Sequence, residues 1–173
     1  MLEKNNIYLI GPMAAGKSTV GKILAQRTNK PFYDTDAELI KCTGVEISLI
    51  FELEGEEGFR KRETEKLKKL ADLNGAVIAT GGGIVMKEEN RRILHETGCI
   101  IYLQCSVNQQ LNRTKFDTKR PLLQTDNPRA KLEELMRHRA PLYESIADIT
   151  ISTDKTNSKR VIKNIIDKLN ITS

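Results

Sequence analysis

Residues 11–18 read Gly11-Pro12-Met13-Ala14-Ala15-Gly16-Lys17-Ser18 and match the pattern G-x-x-x-x-G-K-[ST]. The apolar run Ile7-Tyr8-Leu9-Ile10 before them predicts a buried strand, and helical spacing of apolar residues follows from Lys17 to Thr28. In a loop between a strand and a helix, backbone N–H groups can surround a phosphate, and the helix directs its positive end at the same anion. The stretch therefore predicts a phosphate-binding loop (P-loop), in which Lys17 bridges phosphate oxygens and the Ser18 hydroxyl can ligate Mg²⁺.

The rest of the chain alternates strand-like and helical segments. Short apolar runs predict four further strands, at residues 31–34, 76–79, 99–103 and 149–151. Helical segments lie between these runs and from residue 158 onward, with expected breaks near Gly44, Gly55 and Gly58. This alternation predicts an α/β fold, a three-layer αβα domain over residues 1–173 with a five-stranded parallel sheet. Ligands of such sheets bind beyond the carboxyl ends of the strands.

Composition narrows the class of protein. The 173 residues carry a net charge of +5, but aromatic residues make up only 5% and Trp is absent, which disfavours a nucleic-acid partner. No apolar run approaches the roughly 20 residues of a membrane span, and the amino terminus lacks the apolar stretch of a secretory signal. We therefore expect a cytoplasmic protein without a membrane partner, and a monomer because no large apolar stripe is left over. Its cysteines, Cys42, Cys99 and Cys105, are expected to be reduced and mostly buried.

Two carboxylates follow the second predicted strand, in Phe32-Tyr33-Asp34-Thr35-Asp36. The pair suits divergent roles, with one carboxylate near magnesium and the other accepting a hydrogen bond from a substrate hydroxyl. Asp is also a common helix N-cap. Because the pair comes directly after a P-loop strand and helix, we favour the functional interpretation.

The run Thr80-Gly81-Gly82-Gly83 ends the third predicted strand. Without Cβ atoms, this backbone allows a ligand to approach closely, and consecutive N–H groups can bind an anion. A flexible turn is the alternative, but consecutive glycines carry a large entropic cost for a mere connection. The run therefore predicts a ligand-binding backbone.

Arginines lie in three further segments. Arg60 and Glu63 share one helix face, where by itself a surface ion pair is the better interpretation. Residues 113–123 contain four positively charged side chains and one Asp. They predict a mobile basic loop that closes over the transferring phosphates. A solvent-exposed run of charges is the alternative. Arg139 lies shortly before Pro141 late in a helix, where we expect a kink.

Together these motifs resemble the shikimate kinase family over essentially the whole chain. The family pattern contains the P-loop, D-x-D, F-R-x-x-E, G-G-G, R-P-L and R-x-x-L-Y. Here these motifs stand in that order at residues 11–18, 34–36, 59–63, 81–83, 120–122 and 139–143. The combination is much more specific than any single element.

The resemblance implies a nucleoside-monophosphate-kinase-like fold that phosphorylates shikimate with ATP and Mg²⁺, giving shikimate 3-phosphate in aromatic amino-acid (chorismate) biosynthesis. It implies a substrate-binding segment around residues 34–62 and a lid around residues 113–124. Asp36 would contact the hydroxyls of shikimate and accept the proton of the attacking one.

The family implies a role for each matching residue. The catalytic set is Lys17, Asp36 and Arg120, and the metal ligands are Ser18 and Asp34. The substrate-binding set is Asp36, Arg60, Gly81, Gly82, Gly83 and Arg139. The nucleotide-binding set is Gly11, Ala14, Ala15, Gly16, Lys17, Ser18, Thr19, Arg113, Arg120 and Asn157, with Arg113 against the adenine and Asn157 in the loop after the fifth strand.

One position departs from many P-loops of this type, which have glycine where this chain has Ala14. Alanine would be strained at positive φ, so we expect φ at Ala14 to be negative.

Two alternatives stay open. Another small-molecule kinase, acting on gluconate or a nucleoside monophosphate, is the nearest, although a nucleotide acceptor would need a base pocket. A nucleotide-dependent switch or RNA-binding protein is the other. A GTPase should show N-K-x-D, and Asn29-Lys30-Pro31-Phe32 fails at the last position, while the D-x-x-G match at residues 72–75 precedes a predicted strand rather than ending one.

Overall fold

The computed structural model describes residues 5–170, and these form the predicted three-layer αβα fold. A single parallel sheet contains all five strands of this part of the chain: β1 (Asn6–Ile10), β2 (Phe32–Asp34), β3 (Val77–Ala79), β4 (Gly98–Gln104) and β5 (Ile149–Ser152). The helices between and after them are α1 (Lys17–Arg27), α2 (Thr35–Thr43), α3 (Ile47–Ala71), α4 (Glu88–Thr97), α5 (Val107–Thr114), α6 (Pro128–Ile146) and α7 (Ser158–Leu169). Short 3-10 turns cover Ile84–Met86 and Pro121–Leu123.

The strand order β2-β3-β1-β4-β5 places β1 at the centre of the sheet. The chain leaves β1 toward β2 and β3 on one side and later returns to add β4 and β5 on the other side. The crevice at such a switch in direction is the usual ligand site of a parallel sheet. The loop that follows β1 is residues 11–16, so the topology places the predicted P-loop in this crevice.

Alternating side chains of the strands fill two cores, one on each face of the sheet. Ile7 and Leu9 of β1 pack on the face covered by α1 and α7, whereas Tyr8 and Ile10 pack on the face covered by α3, α4 and α6. A third, smaller cluster of Leu39, Ile50 and Phe59 lies between α2 and α3. Because both faces are covered, the strands are apolar on both sides, as parallel strands require.

Helix boundaries follow the capping residues in the sequence. Ser106 and Asn127 cap α5 and α6, because their side-chain oxygens accept bonds from the N–H groups of the residues three positions later. Gly44 ends α2 in the left-handed conformation, and Gly55 (φ 69°) interrupts α3. The break expected near Gly55 and Gly58 is present and falls at Gly55, the residue of α3 that departs from helical backbone angles.

Two further expectations concern the burial of the cysteines and the absence of a membrane span. Cys105 is buried, but Cys99 is half-buried and Cys42 is exposed, so the expectation of mostly buried thiols is wrong. Within residues 5–170, no helix is both long and apolar enough to cross a membrane.

Candidate active site

The P-loop leaves β1 with a backbone that suits glycine at its two ends. Gly11 has φ 146°, and a Cβ there would lie 2.4 Å from the carbonyl oxygen of Leu103; Gly16, which begins α1, has φ 88°. Ala14 also has a positive φ, 62°, so the expectation of a negative φ at this position is wrong. The physical reason is the loop itself, because alternation between right- and left-handed residues turns successive N–H groups toward a bound anion. Ala14 therefore adopts a backbone conformation that favours glycine.

Lys17 extends back over this loop. Its ammonium donates 2.7 Å hydrogen bonds to the carbonyl oxygens of Gly11 and Pro12. Desolvation of this half-buried group lowers the pKa of Lys17 to about 8, while the nearby carboxylate of Asp36 acts in the opposite direction. Lys17 thus contacts the loop and is close enough to the predicted acceptor carboxylate to be influenced by its charge.

Asp34 is the N-cap of α2 and also contacts the start of α1. Its Oδ1 accepts bonds from the backbone N–H groups of Asp36 (3.0 Å) and Ala37 (3.1 Å), which makes it the N-cap of α2. Its Oδ2 accepts a hydrogen bond from the hydroxyl of Ser18, the residue that follows Lys17 at the start of α1. The N-cap bonds hold the carboxylate beside Ser18 at the mouth of the P-loop.

Asp36 differs from Asp34 because one of its oxygens lacks a partner. Oδ1 of Asp36 is buried and accepts no hydrogen bond from any residue that the structure describes. Desolvation, and then the negative charge of Asp34, raise the pKa of Asp36. A buried acceptor without a donor is costly, so this oxygen marks a place where a ligand can donate.

Residues 81–83 are glycines because neighbouring side chains leave little room for a Cβ at these positions. None of these residues has a positive φ, but side chains lie directly against each of them. A Cβ on Gly81 would lie 2.8 Å from Oε2 of Glu63, on Gly82 3.3 Å from Nη1 of Arg139, and on Gly83 2.3 Å from Nη2 of Arg60. The predicted close approach is therefore made by the arginines and a carboxylate of the protein itself.

Arg60 and Glu63 do not form a surface ion pair, contrary to the interpretation from their spacing alone. Arg60 is 8% exposed and Glu63 is fully buried, with Nη1 of Arg60 2.9 Å from Oε1 of Glu63. Oε2 of Glu63 has no partner among the described residues, and desolvation raises the pKa of Glu63. The pair is buried because α3 packs against the glycine run, which the spacing could not indicate.

Arg139 is buried on helix α6 and contacts Tyr143 one turn later. It is 5% exposed, and within residues 5–170 it forms no ion pair with a carboxylate. Desolvation lowers the pKa of Arg139, and the positive charge of Arg60 acts in the same direction. The hydroxyl of Tyr143 donates to the carbonyl oxygen of Gly82, so arginine and glycine are held together.

The lid residues contribute a second group of arginines. Nε of Arg120 donates a 2.8 Å bond to Asp117, and both residues border the cavity described below. Arg113 lies in the last turn of α5 and reaches the P-loop, with Nη1 2.8 Å from the carbonyl oxygen of Ala14. Asn157 caps α7 through a 3.0 Å bond from the N–H of Arg160. The predicted basic loop is thus partly helical, since α5 extends to Thr114 and a 3-10 turn begins at Pro121.

A cavity of about 940 Å³ brings the acceptor-side residues together. Its polar wall contains the predicted substrate-binding residues, namely Asp36, Arg60, Gly81, Gly82, Gly83 and Arg139, together with Glu63 and Arg120. Its apolar wall comes from Met13, Ile47, Phe51, Phe59 and Leu122, among others. Residues from distant parts of the sequence therefore meet around one space that has both polar and apolar lining.

Sequence reasoning missed several residues of this site. Thr35 is fully buried, and its hydroxyl accepts a 3.0 Å bond from the N–H of Gly81, which fixes the start of the glycine run. Asp117 and the apolar wall were also missed. Tyr143 was part of the quoted R-x-x-L-Y motif but received no role. A buried tyrosine four residues from a predicted binding arginine was the available signal.

Comparison with known proteins gives a consistent result. A family model described as shikimate kinase matches residues 13–170. A shikimate kinase of Thioalkalivibrio sulfidiphilus is 54% identical over 165 residues, which cover 95% of this chain and 87% of that protein. The crystal structure of an Acinetobacter baumannii shikimate kinase in complex with shikimate is similar with a TM-score of 0.94 at 43% identity, covering 98% of this chain and 94% of that one.

More distant structures share only the fold. A gluconokinase from Sinorhizobium meliloti has a TM-score of 0.62 at 17% identity, covering 96% of this chain and 92% of that one. The fold therefore does not by itself select an acceptor, and the residues around the cavity must do so.

Proposed function

This chain belongs to the shikimate kinase family, and from this premise we propose how its cavity and P-loop carry out the reaction. The protein is a P-loop kinase of the shikimate pathway that transfers the γ-phosphoryl group of ATP to a hydroxyl of shikimate. The observation that carries the assignment of residues is the pair of buried arginines, Arg60 and Arg139, that face one cavity beside the unpaired oxygen of Asp36.

The acceptor binds at the glycine end of the cavity. Arg60 and Arg139 hold the carboxylate of shikimate, because a guanidinium donates two parallel hydrogen bonds to a carboxylate. The absence of an ion-pair partner for Arg139 among the described residues supports this role. The Gly82 backbone, fixed by Tyr143, and the neighbouring glycines form the floor against which the ring lies.

Asp36 accepts the proton of the attacking hydroxyl. Its unpaired Oδ1 provides the acceptor, and the fixed α2 helix positions it. The raised pKa of Asp36 makes its carboxylate a better base than an exposed aspartate would be. The hydroxyl oxygen then attacks the γ-phosphorus, the bond from that phosphorus to the β,γ-bridging oxygen breaks, and ADP leaves.

The nucleotide occupies the crevice at the end of β1. The N–H groups of residues 14–19 and the ammonium of Lys17 hold the β- and γ-phosphates, with the N-terminus of α1 directed at the same charges. Arg120 neutralises charge on the transferring phosphoryl group from the lid side. The Coulombic influence of Asp36 and Arg120 on Lys17 supports the view that the nucleotide and acceptor ends meet here.

Ser18 and Asp34 fit a magnesium ion that accompanies ATP. The pair offers one hydroxyl and one carboxylate oxygen already in contact, and Mg²⁺ usually takes one or two carboxylates and completes its shell with phosphate oxygens and water. When bound, the ion would neutralise developing charge on the phosphates. Asp34 and Ser18 would hold it at the mouth of the P-loop.

We further propose that the protein acts in the cytoplasm as a monomer. The large exposed apolar side chains of the described part of the chain are Leu49 and Leu53, one turn apart on α3, together with Met86 and Phe116 on other segments. Light scattering coupled to size-exclusion chromatography would give about one chain mass for a monomer and about two for a dimer.

The assay that tests the proposal couples ADP release to NADH oxidation, with shikimate, gluconate and a nucleoside monophosphate as separate acceptors. ADP release is expected with shikimate alone. Because the coupling enzymes themselves need Mg²⁺, the Mg²⁺ requirement is tested by direct chromatography of ADP, which should not form without the ion. Turnover of gluconate or a nucleotide without turnover of shikimate would contradict the proposal.

A further inference from the structure

Arg113 connects the P-loop to the loop that follows β5. From the end of α5, Nη1 lies 2.8 Å from the carbonyl oxygen of Ala14 and 3.3 Å from Oγ1 of Thr153. Nη2 lies 2.9 Å from the carbonyl oxygen of Thr153. One planar guanidinium thus spans two loops whose residues are far apart in sequence.

Thr153 is a fixed anchor for this bridge. It is 4% exposed, and its N–H and hydroxyl both donate to the carbonyl oxygen of Gln104, at 2.9 Å and 2.8 Å. Gln104 is the last residue of β4, which pairs with β1 in the sheet. Arg113 therefore holds Ala14 relative to the end of the sheet rather than to a second free loop.

Ala14 is the residue of the P-loop that most needs to be held. It is a non-glycine residue at φ 62°, and the left-handed conformation disfavours an L-residue with a Cβ by a factor of about 5 to 30 in population. Such conformations persist where the surrounding structure fixes them. The guanidinium bond to the carbonyl of Ala14 and the nearby thiol of Cys105, 3.8 Å from the same oxygen, provide this constraint.

We propose that Arg113 is a positioning residue for the phosphate-binding loop: it locks Ala14 in the left-handed conformation that directs the loop N–H groups at the phosphates. This role rests on the proposed function of the P-loop and goes beyond a contact with adenine. It predicts that Arg113 matters even for a ligand that contains no base.

Magnesium tripolyphosphate, a polyphosphate without nucleoside, separates these roles. Its inhibition constant against ATP would be measured for the parent protein and for Arg113→Ala, Arg113→Lys, Ala14→Gly and the Arg113→Ala/Ala14→Gly double variant. Arg129→Ala is the matched control, since Arg129 is an exposed arginine whose bonds go to Asn108 and Glu133 rather than to the P-loop.

The proposal has a specific pattern of outcomes. Arg113→Ala should weaken inhibition by tripolyphosphate about tenfold, because the loop then spends most of its time with Ala14 at negative φ. Ala14→Gly should rescue the loss, so that Arg113→Ala costs no more than about threefold in the glycine background. Arg113→Lys should behave like the alanine variant, because its single nitrogen cannot reproduce the separate bonds of Nη1 to Ala14 and of Nη2 to Thr153. The control should match the parent.

Three results would overturn it. Unchanged tripolyphosphate inhibition in Arg113→Ala would restrict Arg113 to the base. A loss that Ala14→Gly does not rescue would show a direct contact of Arg113 with phosphate. Parental behaviour of Arg113→Lys would show that charge alone is sufficient.

A structural readout separates this inference from the proposed function. A crystal structure of ligand-free Arg113→Ala should show φ of Ala14 shifted to a negative value, and a left-handed Ala14 in that variant would refute the lock whatever the enzyme phosphorylates. Failure of the parent protein to phosphorylate shikimate would instead refute the proposed function and leave this measurement valid.

Discussion

Tyr143 and Gly82 are joined by a hydrogen bond from the phenol of helix α6 to the carbonyl oxygen in the glycine run. Tyr143 is fully buried, and its oxygen is also bonded to Arg139 one turn earlier. One side chain therefore fixes both a backbone segment and a guanidinium that we assign to shikimate.

Tyr143→Phe removes this bond without changing the packed ring. We expect the KM for shikimate to rise about tenfold, with a smaller change in kcat, because an unsatisfied buried group costs about 1–3 kcal/mol. Tyr8→Phe is the control, since Tyr8 is equally buried in the same core but bonds Thr97 at 2.7 Å. Tyr8→Phe should lower the melting temperature without changing the KM. If both variants change stability alone, Tyr143 has no role in binding.

Arg60→Ala and Arg139→Ala test the carboxylate clamp. Each should raise the KM for shikimate by about 30- to 150-fold, since a charge-assisted hydrogen bond contributes about 2–3 kcal/mol. ADP affinity, measured by calorimetry, should stay within about threefold of the parent, because neither side chain belongs to the P-loop. Arg62→Ala is the matched control for Arg60→Ala, since Arg62 lies on the same helix but pairs with Glu54 at the surface. It should leave the KM for shikimate unchanged. Equal loss of shikimate and ADP binding would indicate a folding role instead.

Protonation of Asp36 should lower kcat/KM for shikimate at acidic pH and so produce an acid limb in its pH profile. Because desolvation and Asp34 raise the pKa of Asp36, kcat/KM for shikimate should fall on acidification with an apparent pKa above the ordinary 3.8. Arg60→Gln should move this limb to still higher pH, because the positive charge of Arg60 lowers the pKa of Asp36. Asp36→Asn should reduce kcat by about 10²- to 10⁴-fold. A limb at or below 3.8 in the parent would contradict this assignment.

The same shift has a consequence for stability. The folded protein penalises the ionised form of Asp36, so this residue costs stability above its raised pKa and costs nothing below pH 3.8. Asp36→Asn should therefore raise the melting temperature at pH 7, and the difference should disappear toward pH 3. Thermal unfolding at both pH values measures it.

The sequence was sufficient for the fold because its signals are local. The apolar runs of the strands, the caps Ser106 and Asn127 and the glycine-flanked P-loop depend on neighbouring residues, and all five predicted strands of the sheet are present. The P-loop motif and the order of motifs also indicated the ligands. These features needed no knowledge of which segments touch.

The features that were missed depend on long-range packing. Glu63 is buried because α3 lies against the glycine run, a contact between segments about 20 residues apart that spacing on one helix cannot show. The φ of Ala14 was predicted with the wrong sign because intrinsic strain was considered without the bond from Arg113, 99 residues away. Local preference yields at functional loops when distant side chains fix the backbone.

Loss of the Lys17 proton should lower kcat/KM for ATP at alkaline pH and so produce an alkaline limb in its pH profile. Desolvation lowers the pKa of Lys17 to about 8, so kcat/KM for ATP should fall above pH 8 as the free enzyme loses this ammonium. With saturating ATP the limb should move to higher pH, since bound phosphates favour the charged form. Lys17→Arg should remove the limb near pH 8 because a guanidinium stays protonated. Persistence of that limb in Lys17→Arg would assign it to another group.

Gly83→Ala tests whether the glycine run exists to admit Arg60. A Cβ on Gly83 would lie 2.3 Å from Nη2 of Arg60, and φ at Gly83 is −93°, so the substitution acts through space rather than through backbone strain. We expect the KM for shikimate to rise by about as much as in Arg60→Ala, about 30-fold or more. Gly82→Ala should have a smaller effect, because its Cβ would lie 3.3 Å from Arg139. The decisive comparison is the Gly83→Ala/Arg60→Ala double variant. Its KM for shikimate should be no higher than that of Arg60→Ala, because the Arg60 side chain that the alanine at position 83 would displace is already absent. Additive losses would instead mean that the Gly83 backbone contacts the substrate independently of Arg60.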